Sequence, residues 1–389
     1  MDLDAFRWLL TPPGQQLLER ATRLVADGVP ALKAGDRLRR DESSDRVATA
    51  LGQVELRARA ETKFGGLAER MYFTPDGLEQ ATRVPVAEHR AGRMAAAAPS
   101  SLVDLGCGVG GDLIAFAAAG LTCAGVDLDP VRVEVARANL DALGLAGAVS
   151  VADATTMDLS PFAVAFADPA RRTGAGRRFA PDSWVPPWDF VERLLARAAC
   201  VKVAPGIPHD LVPEGVEAEW VSHRGEVKEA ALWSGPLATT ARRATVLAGA
   251  GLATLTDEDA PPAEVHALAE HLYEPDGAVV RAGLVSAVAA QVEGGLLDEH
   301  IAYVTSAVRR TTPFATGYRV LEELPYREKP LRAALRERGI GTLAIKKRGV
   351  DVVPEVLRRR LQLQGDTEAT LVLTRVAGRG TALLVERLP

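Results

Sequence analysis

The 389-residue sequence has only three cysteines, six histidines and 5% aromatic residues. Cys107, Cys123 and Cys200 are odd in number, and none stands in the C-x-x-C spacing that metal and thiol redox sites use. The histidines show no ligand spacing either. His266 and His271 are five residues apart and read as ordinary helix residues, so no metal is expected. No run of ~18 apolar residues escapes interruption by charge, which argues against a membrane span. Met1 is followed by Asp2 and Asp4 rather than by a basic and then an apolar region, so no secretory signal is expected, and the cytoplasm is the expected compartment. Internal repeats and low-complexity tracts are absent too.

What is present is the composition of a soluble globular protein, 47% hydrophobic and 25% charged, with a length that predicts two or three domains. The net charge of −5 is unevenly spread. From Thr311 onward there are 15 Lys/Arg against 9 Asp/Glu, a balance of +6, which leaves 31 against 42, or −11, for the preceding residues. A basic tail suits a polyanionic partner, although a solvated charged face gives the same count.

Apolar residues at helical spacing between Gln15 and Val25, and a second run opened by Ser43 or Ser44, predict an N-terminal helical domain over residues 1–80. From Ser101 short apolar runs alternate with helical stretches, the pattern of a parallel sheet wrapped by helices. The runs are Leu102–Leu105, Cys123–Val126, Val149–Val151, Val164–Ala167 and Cys200–Val203. Glu217–Ser222 and Glu226–Trp233, joined by His223, Arg224 and Gly225, read as a closing antiparallel hairpin, and residues 81–245 form the second domain. A linker is expected over Asp257–Pro262, with helices Pro261–Glu270 and Leu284–Val292 in a connecting region of residues 246–310. Residues 311–389 alternate strands and helices as a small α+β domain, with strands near Tyr318–Leu321, Thr342–Lys346, Thr370–Thr374 and Ala382–Glu386.

The strongest motif is the string Val103-Asp-Leu-Gly-Cys-Gly-Val-Gly-Gly-Asp112, a glycine-rich turn between an apolar strand and an apolar helix. Gly106, Gly108 and Gly111 satisfy the dinucleotide pattern G-x-G-x-x-G, so a nicotinamide ligand has to be weighed. Asp104 decides against it. A carboxylate two residues before the first glycine repels a pyrophosphate and suits a ligand bearing an ammonium and a sulfonium, as S-adenosylmethionine does. Asp127 follows Gly106 by 21 residues, where an acid accepts from ribose hydroxyls. Asp153 can accept from an adenine amino group, and Asp168-Pro169 ends the fourth strand. Any one of these acids also suits a helix cap; four in order at successive strand ends make a carboxylate wall along one crevice.

VDLGCGVGGD, GVDLDP, VADA and ADPA over residues 101–170 resemble the class I S-adenosylmethionine-dependent methyltransferases. That resemblance implies a Rossmann-like α/β fold, parallel strands followed by an antiparallel hairpin. It also implies a cofactor set of Asp104, Gly106, Gly108, Gly110, Asp127, Leu128, Asp153, Ala154 and Asp168. GCGVGGDLIAFA with GVDLDPVRVEVARANL, and Phe73-Thr74-Pro75 upstream, resemble the trimethylguanosine synthase group, which methylates an exocyclic guanine amine. Where that group has an S-P-P-W-type motif this chain reads Asp168-Pro-Ala-Arg-Arg172, so cap specificity does not carry over. Residues 311–389, with Leu343-Ala-Ile-Lys-Lys-Arg-Gly349, resemble the THUMP-like domain of a bacterial methyltransferase group. THUMP domains bind tRNA, which implies an RNA partner.

Methyl transfer from a sulfonium is an in-line displacement promoted by positioning and electrostatics, so a catalytic triad is not expected. The resemblance makes Asp168, Pro169 and Arg171 the catalytic candidates, with Asp168 holding an acceptor amine. Arg171 and Arg172 suit a phosphate or base edge, and Trp184 and Trp188 suit base stacking. Lys346, Lys347 and Arg348, with Arg358, Arg359 and Arg360, are phosphate candidates in the tail, one of the three helical arginines being expected to turn toward the core. The expected function is methylation of an exocyclic nitrogen of a base in tRNA or rRNA. A small-molecule or protein methyltransferase, or an RNA-binding protein with a vestigial cofactor site, are the alternatives.

Overall fold

Six helices open the described chain: α1 (Leu3–Leu9), α2 (Pro12–Ala26), α3 (Ala31–Leu38), α4 (Ser44–Phe64), α5 (Pro75–Gln80) and α6 (Val84–Ala96). Local chemistry sets their starts. Asp2 accepts from the Ala5 amide at 2.8 Å to cap α1, and Thr11 caps α2, whose first positions are prolines that need no amide partner. Their apolar faces do not form a separate core. Phe6, Leu9, Leu17, Val47 and Phe64 pack in the same cluster as Leu102, Leu113, Phe116 and Phe166.

The computed structural model describes residues 1–171, 184–185, 187–249 and 251–389; for Ala170, Arg171, Trp184 and Val185 the backbone alone is described. The chain divides into two units, residues 1–216 with 231–239, and residues 217–230 with 240–389. The first holds β1 (Leu102–Leu105), α7 (Gly111–Ala118), β2 (Cys123–Asp127), α8 (Pro130–Leu143), β3 (Ala148–Val151), β4 (Val164–Ala167), the short pair β5 (Ala170–Arg171) and β6 (Trp184–Val185), α9 (Trp188–Leu195) and β7 (Ala199–Val203). β1 pairs parallel with β2 and β4, β2 with β3 and β4 with β7, so the five expected strands form one parallel run with β1 at its centre.

Strands β8 (Glu217–His223) and β9 (Glu226–Ser234) are joined at Arg224 and Gly225, both with positive φ (54° and 78°), as a two-residue hairpin turn requires. The sheet does not end there. β10 (Arg242–Ala248) pairs parallel with β8, and β11 (Gly251–Thr256) pairs antiparallel with β10, for the order β11-β10-β8-β9-β7-β4-β1-β2-β3. The Ala- and Thr-rich segments of these two strands carry too little apolar alternation to stand out in the sequence.

A second sheet, order β13-β14-β12-β15-β18-β17-β16, lies wholly in the second unit. Its elements are β12 (His271–Pro275), α10 (Gly277–Ala282), α11 (Val285–Gln291), β13 (Gly295–Asp298), β14 (Ile301–Ser306), β15 (Ala315–Leu324), α12 (Glu328–Glu337), β16 (Ile340–Lys347), α13 (Pro354–Leu361), β17 (Thr367–Val376) and β18 (Arg379–Arg387). The helix expected over Pro261–Glu270 is not formed. His266 lies in irregular chain beside a single bridge between Val265 and Leu296, and His271 begins β12. Two prolines at its head and mixed polarity along it leave that segment no continuous apolar stripe. Among the described residues no helix is long and apolar enough to cross a membrane.

Candidate cofactor and acceptor site

The parallel register puts the acids of the sequence on one face. Asp104 lies level with Gly125 and with Phe166, and Asp127 and Asp168 each stand two residues further along those neighbouring strands. Side chains alternate with period two, so the three carboxylates share a face at the carboxyl end of the sheet. Val151 is level with Asp127, and Asp153 follows two residues beyond the end of β3, exposed in irregular chain.

Between β1 and α7 the glycine loop is pinned to the end of β2. The amides of Gly106 and Cys107 donate to the Val126 carbonyl at 2.8 and 2.9 Å, and the Gly108 amide donates to Asp127 Oδ2 at 3.0 Å. Gly106, Gly108 and Gly110 all have positive φ. A Cβ at Gly106 or Gly108 would meet no atom within 4 Å, so the loop's outer side is open to a ligand, whereas one at Gly110 would stand 3.3 Å from the Ala136 Cβ on α8.

Asp104 is 2% exposed, and its Oδ2 has no hydrogen-bond partner among the described residues. Burial, with the charges of Asp112 and Asp168 behind it, raises its pKa well above the ordinary carboxylate value, and Arg90 opposes the shift. A buried acid with an orphaned oxygen beside an open glycine loop is fitted to a ligand that brings a cationic donor. The ammonium of S-adenosylmethionine meets that need and its sulfonium adds positive charge; a pyrophosphate does neither. Asp127, also buried, accepts from the amides of Gly108 and Asp129, which orients it and leaves further lone pairs free. Leu128 beside it is 66% exposed, an apolar surface suited to an aromatic base. Asp153 is exposed, and its pKa is lowered by the Thr155 hydroxyl and amide, both of which donate to Oδ1. Ala154 beside it is half-buried.

Two buried amides, which sequence reasoning missed, fix the segment before α5, Asn139 against this loop and Gln53 against α4. Asn139 on α8 accepts from the Tyr72 amide at 2.6 Å and donates to the carbonyls of Tyr72 and Val109 at 3.0 and 2.8 Å. Gln53 on α4 accepts from and donates to the backbone of Phe73 at 2.9 and 2.7 Å. A polar residue inside an apolar helical stripe is the signal that could have found Asn139. Cys107, within the loop, has its thiol pushed up by burial and then by Asp104 and Asp127, which keeps it protonated and unsuited to nucleophilic work.

On the other side of β1, Asp168 Oδ2 accepts from Lys202 Nζ at 2.6 Å. Lys202 was also missed in the sequence, although a lysine between Val201 and Val203 in a buried strand is itself unusual. Pro169 is buried. Arg171 pairs through its backbone with Trp184, and Arg172 lies outside the described residues. Trp188 heads α9, where its indole N–H donates to Glu192 at 3.0 Å.

The basic tail residues are placed unequally. Lys346 Nζ donates to Glu274 Oε2 at 2.6 Å. Burial works against its charge, but Glu274 and Tyr318 hold its pKa above the ordinary lysine value. The Arg348 guanidinium lies 5.4 Å from the Tyr303 ring centre. Arg358 donates to the Leu343 carbonyl at 3.0 Å yet stays exposed, as do Lys347, Arg359 and Arg360, so none of the three helical arginines is buried.

Comparison with known proteins matches residues 102–169 to a methyltransferase domain family, residues 315–387 to a THUMP domain-like family and residues 2–60 to a domain family of unknown function. An uncharacterised S-adenosylmethionine-dependent methyltransferase of Mycobacterium tuberculosis, in strains H37Rv and CDC 1551, is 37% identical over 344 residues, covering 85% of this chain and 94% of the relative. The chain belongs to this family of S-adenosylmethionine-dependent methyltransferases. The fold of the methyltransferase also matches that of a candidate methyltransferase from Porphyromonas gingivalis W83, with a TM-score of 0.74 at 20% identity over 96% of this chain and 98% of the other. S-adenosylmethionine is therefore the cofactor of this family.

Proposed function

We propose that this methyltransferase acts in the cytoplasm on an exocyclic nitrogen of a base in tRNA or rRNA, with its THUMP-like residues assisting RNA binding. The observation that carries the reading is the union in one chain of an Asp-Pro turn at the end of β4 with a THUMP-like module. In this reading Asp104, Gly106, Gly108 and Gly110 hold the amino-acid end of the cofactor. Asp127 holds the ribose, and Leu128, Asp153 and Ala154 flank the adenine. The bound cofactor supplies an electrophilic methyl on a sulfonium that leaves as a neutral thioether. Asp168 accepts a hydrogen bond from the acceptor amine and turns its lone pair toward that methyl, and Pro169 stiffens the turn. Arg171 and Arg172 meet phosphate or a base edge, and Trp184 and Trp188 stack the base. Lys346, Lys347 and Arg348 belong to the RNA-contact face, with Lys347 the most available of the three.

Incubating the protein with S-adenosylmethionine labelled in its methyl group and with separate RNA, protein and small-molecule fractions tests the reading. Label is expected in RNA, and nucleoside mass spectrometry then identifies the base. Label confined to protein or small molecules would overturn the RNA assignment, and cofactor binding without transfer to any fraction would indicate a vestigial site.

A further inference from the structure

In β7, Lys202 follows Cys200 by two residues, and Cys200 is level with Phe166 on β4, so Lys202 lies level with Asp168 on the face that carries the acids. Its ammonium is 2.6 Å from Asp168 Oδ2 and 3.1 Å from Thr82 Oγ1. The Thr82 hydroxyl in turn donates to Asp112 Oδ2 at 2.9 Å, and Asp112 is ion-paired with Arg90, which is 1% exposed. A chain of alternating donors and acceptors thus runs from α6 through the first turn of α7 to the acid at the end of β4.

Resting on the reading that Asp168 faces the acceptor, we propose that Lys202 is a positioning residue that anchors Asp168 by one oxygen, neutralises it, and so fits the site to an uncharged amine rather than to an ammonium. Asp168 is about one-third exposed and stands among like charges, Asp104 on β1 and Asp112 on α7, with Asp127 on β2 nearby. Left alone, the carboxylate would turn to solvent and the wall would attract any alkylammonium. The ammonium of Lys202 holds Oδ2, leaves Oδ1 for one N–H of the incoming group, and cancels one negative charge where the acceptor nitrogen must sit. Lys63 on α4 and Arg83 add positive charge on the Lys202 side. The exocyclic amines of nucleobases are uncharged at neutral pH; lysine side chains and small alkylamines are not.

Calorimetry on the full chain with two cofactor analogues tests this without knowledge of the acceptor. S-adenosylhomocysteine has nothing at the methyl position, whereas sinefungin carries an amine there that is charged near neutrality. In Lys202→Met, sinefungin is expected to gain about tenfold in affinity relative to S-adenosylhomocysteine, while Lys202→Arg keeps the original ratio. In Asp168→Asn, the ratio is expected to fall about tenfold. An unchanged ratio in Lys202→Met, with the Asp168→Asn effect intact, would overturn the role of Lys202 and leave the acceptor-side placement of Asp168 standing. If Asp168→Asn also leaves the ratio unchanged, that placement fails and the proposal fails with it. Lys202→Gln, which keeps a hydrogen-bonding amide without charge, repeats the measurement should the methionine variant misfold, and the same two outcomes decide.

Discussion

Asp104 shows how a single residue can oppose stability while serving binding. Its pKa is raised, so the folded chain holds this proton to higher pH than the unfolded chain does. Below the ordinary carboxylate range both states are protonated and the effect vanishes. As pH climbs from that range through the raised value, the folded state loses stability, because the charge is dry in the fold and hydrated outside it. Asp104→Asn is therefore expected to raise the neutral-pH stability, by about 1–2 kcal/mol, while weakening S-adenosylmethionine at least about tenfold. Thermal unfolding and calorimetry on the same sample check both signs. Cofactor binding to the native protein should also release a proton where Asp104 is still protonated, read from the buffer dependence of the binding enthalpy. At Asp127, substitution by alanine removes the acceptor of two backbone amides as well as the proposed ribose contact, and cofactor binding is expected to be abolished.

The elements around the loop are held by few but fully used polar groups. Asn139 makes three buried hydrogen bonds that tie α8 to the Met71–Thr74 segment and to the glycine loop. Asn139→Ala leaves those backbone groups unpaired and is expected to destabilise the chain by about 2–4 kcal/mol. Denaturant unfolding measures it, and Asn139→Asp, which keeps the acceptor but sets a buried carboxylate against the Tyr72 and Val109 carbonyls, should cost at least as much. Gly110 is confined differently. With φ at 84° and Ala136 3.3 Å from any added Cβ, Gly110→Ala is expected to cost about 1–3 kcal/mol and to weaken the cofactor by shifting the start of α7. Gly108→Ala carries the backbone strain without a steric neighbour, so its effect on stability should be smaller.

Charge at the scale of the whole molecule differs from the sum of its residues. The +6 balance after Thr311 counts Lys346 and Arg348, yet the first is paired with Glu274 and the second lies over Tyr303. Reversing Lys347 and Arg359 to glutamate is expected to weaken RNA binding uniformly across sequences and to make the salt slope shallower by about one for each phosphate left without its cation. Lys346→Ala should act mainly on stability, by up to about 1 kcal/mol, because it strips a partner from Glu274. Filter binding over a salt series, with unfolding of each variant alongside, separates the two effects.

The sequence by itself determined the cofactor chemistry of this protein. A glycine string after an apolar strand, an acid two residues before it and further acids at the ends of the following strands are local features, and local steric and electrostatic rules suffice to read them. The five parallel strands and the Arg224–Gly225 turn were legible for the same reason. Tertiary structure alone decided what depends on pairing between distant segments. Sheet register brought Lys202 beside Asp168, 34 positions away, and packing brought Asn139 to Tyr72, 67 positions away. It also replaced the expected helix over Pro261–Glu270 with irregular chain and drew two of the three tail cations into contacts within their own unit. A sequence displays each charge without its partner, and only the fold shows which partners it has.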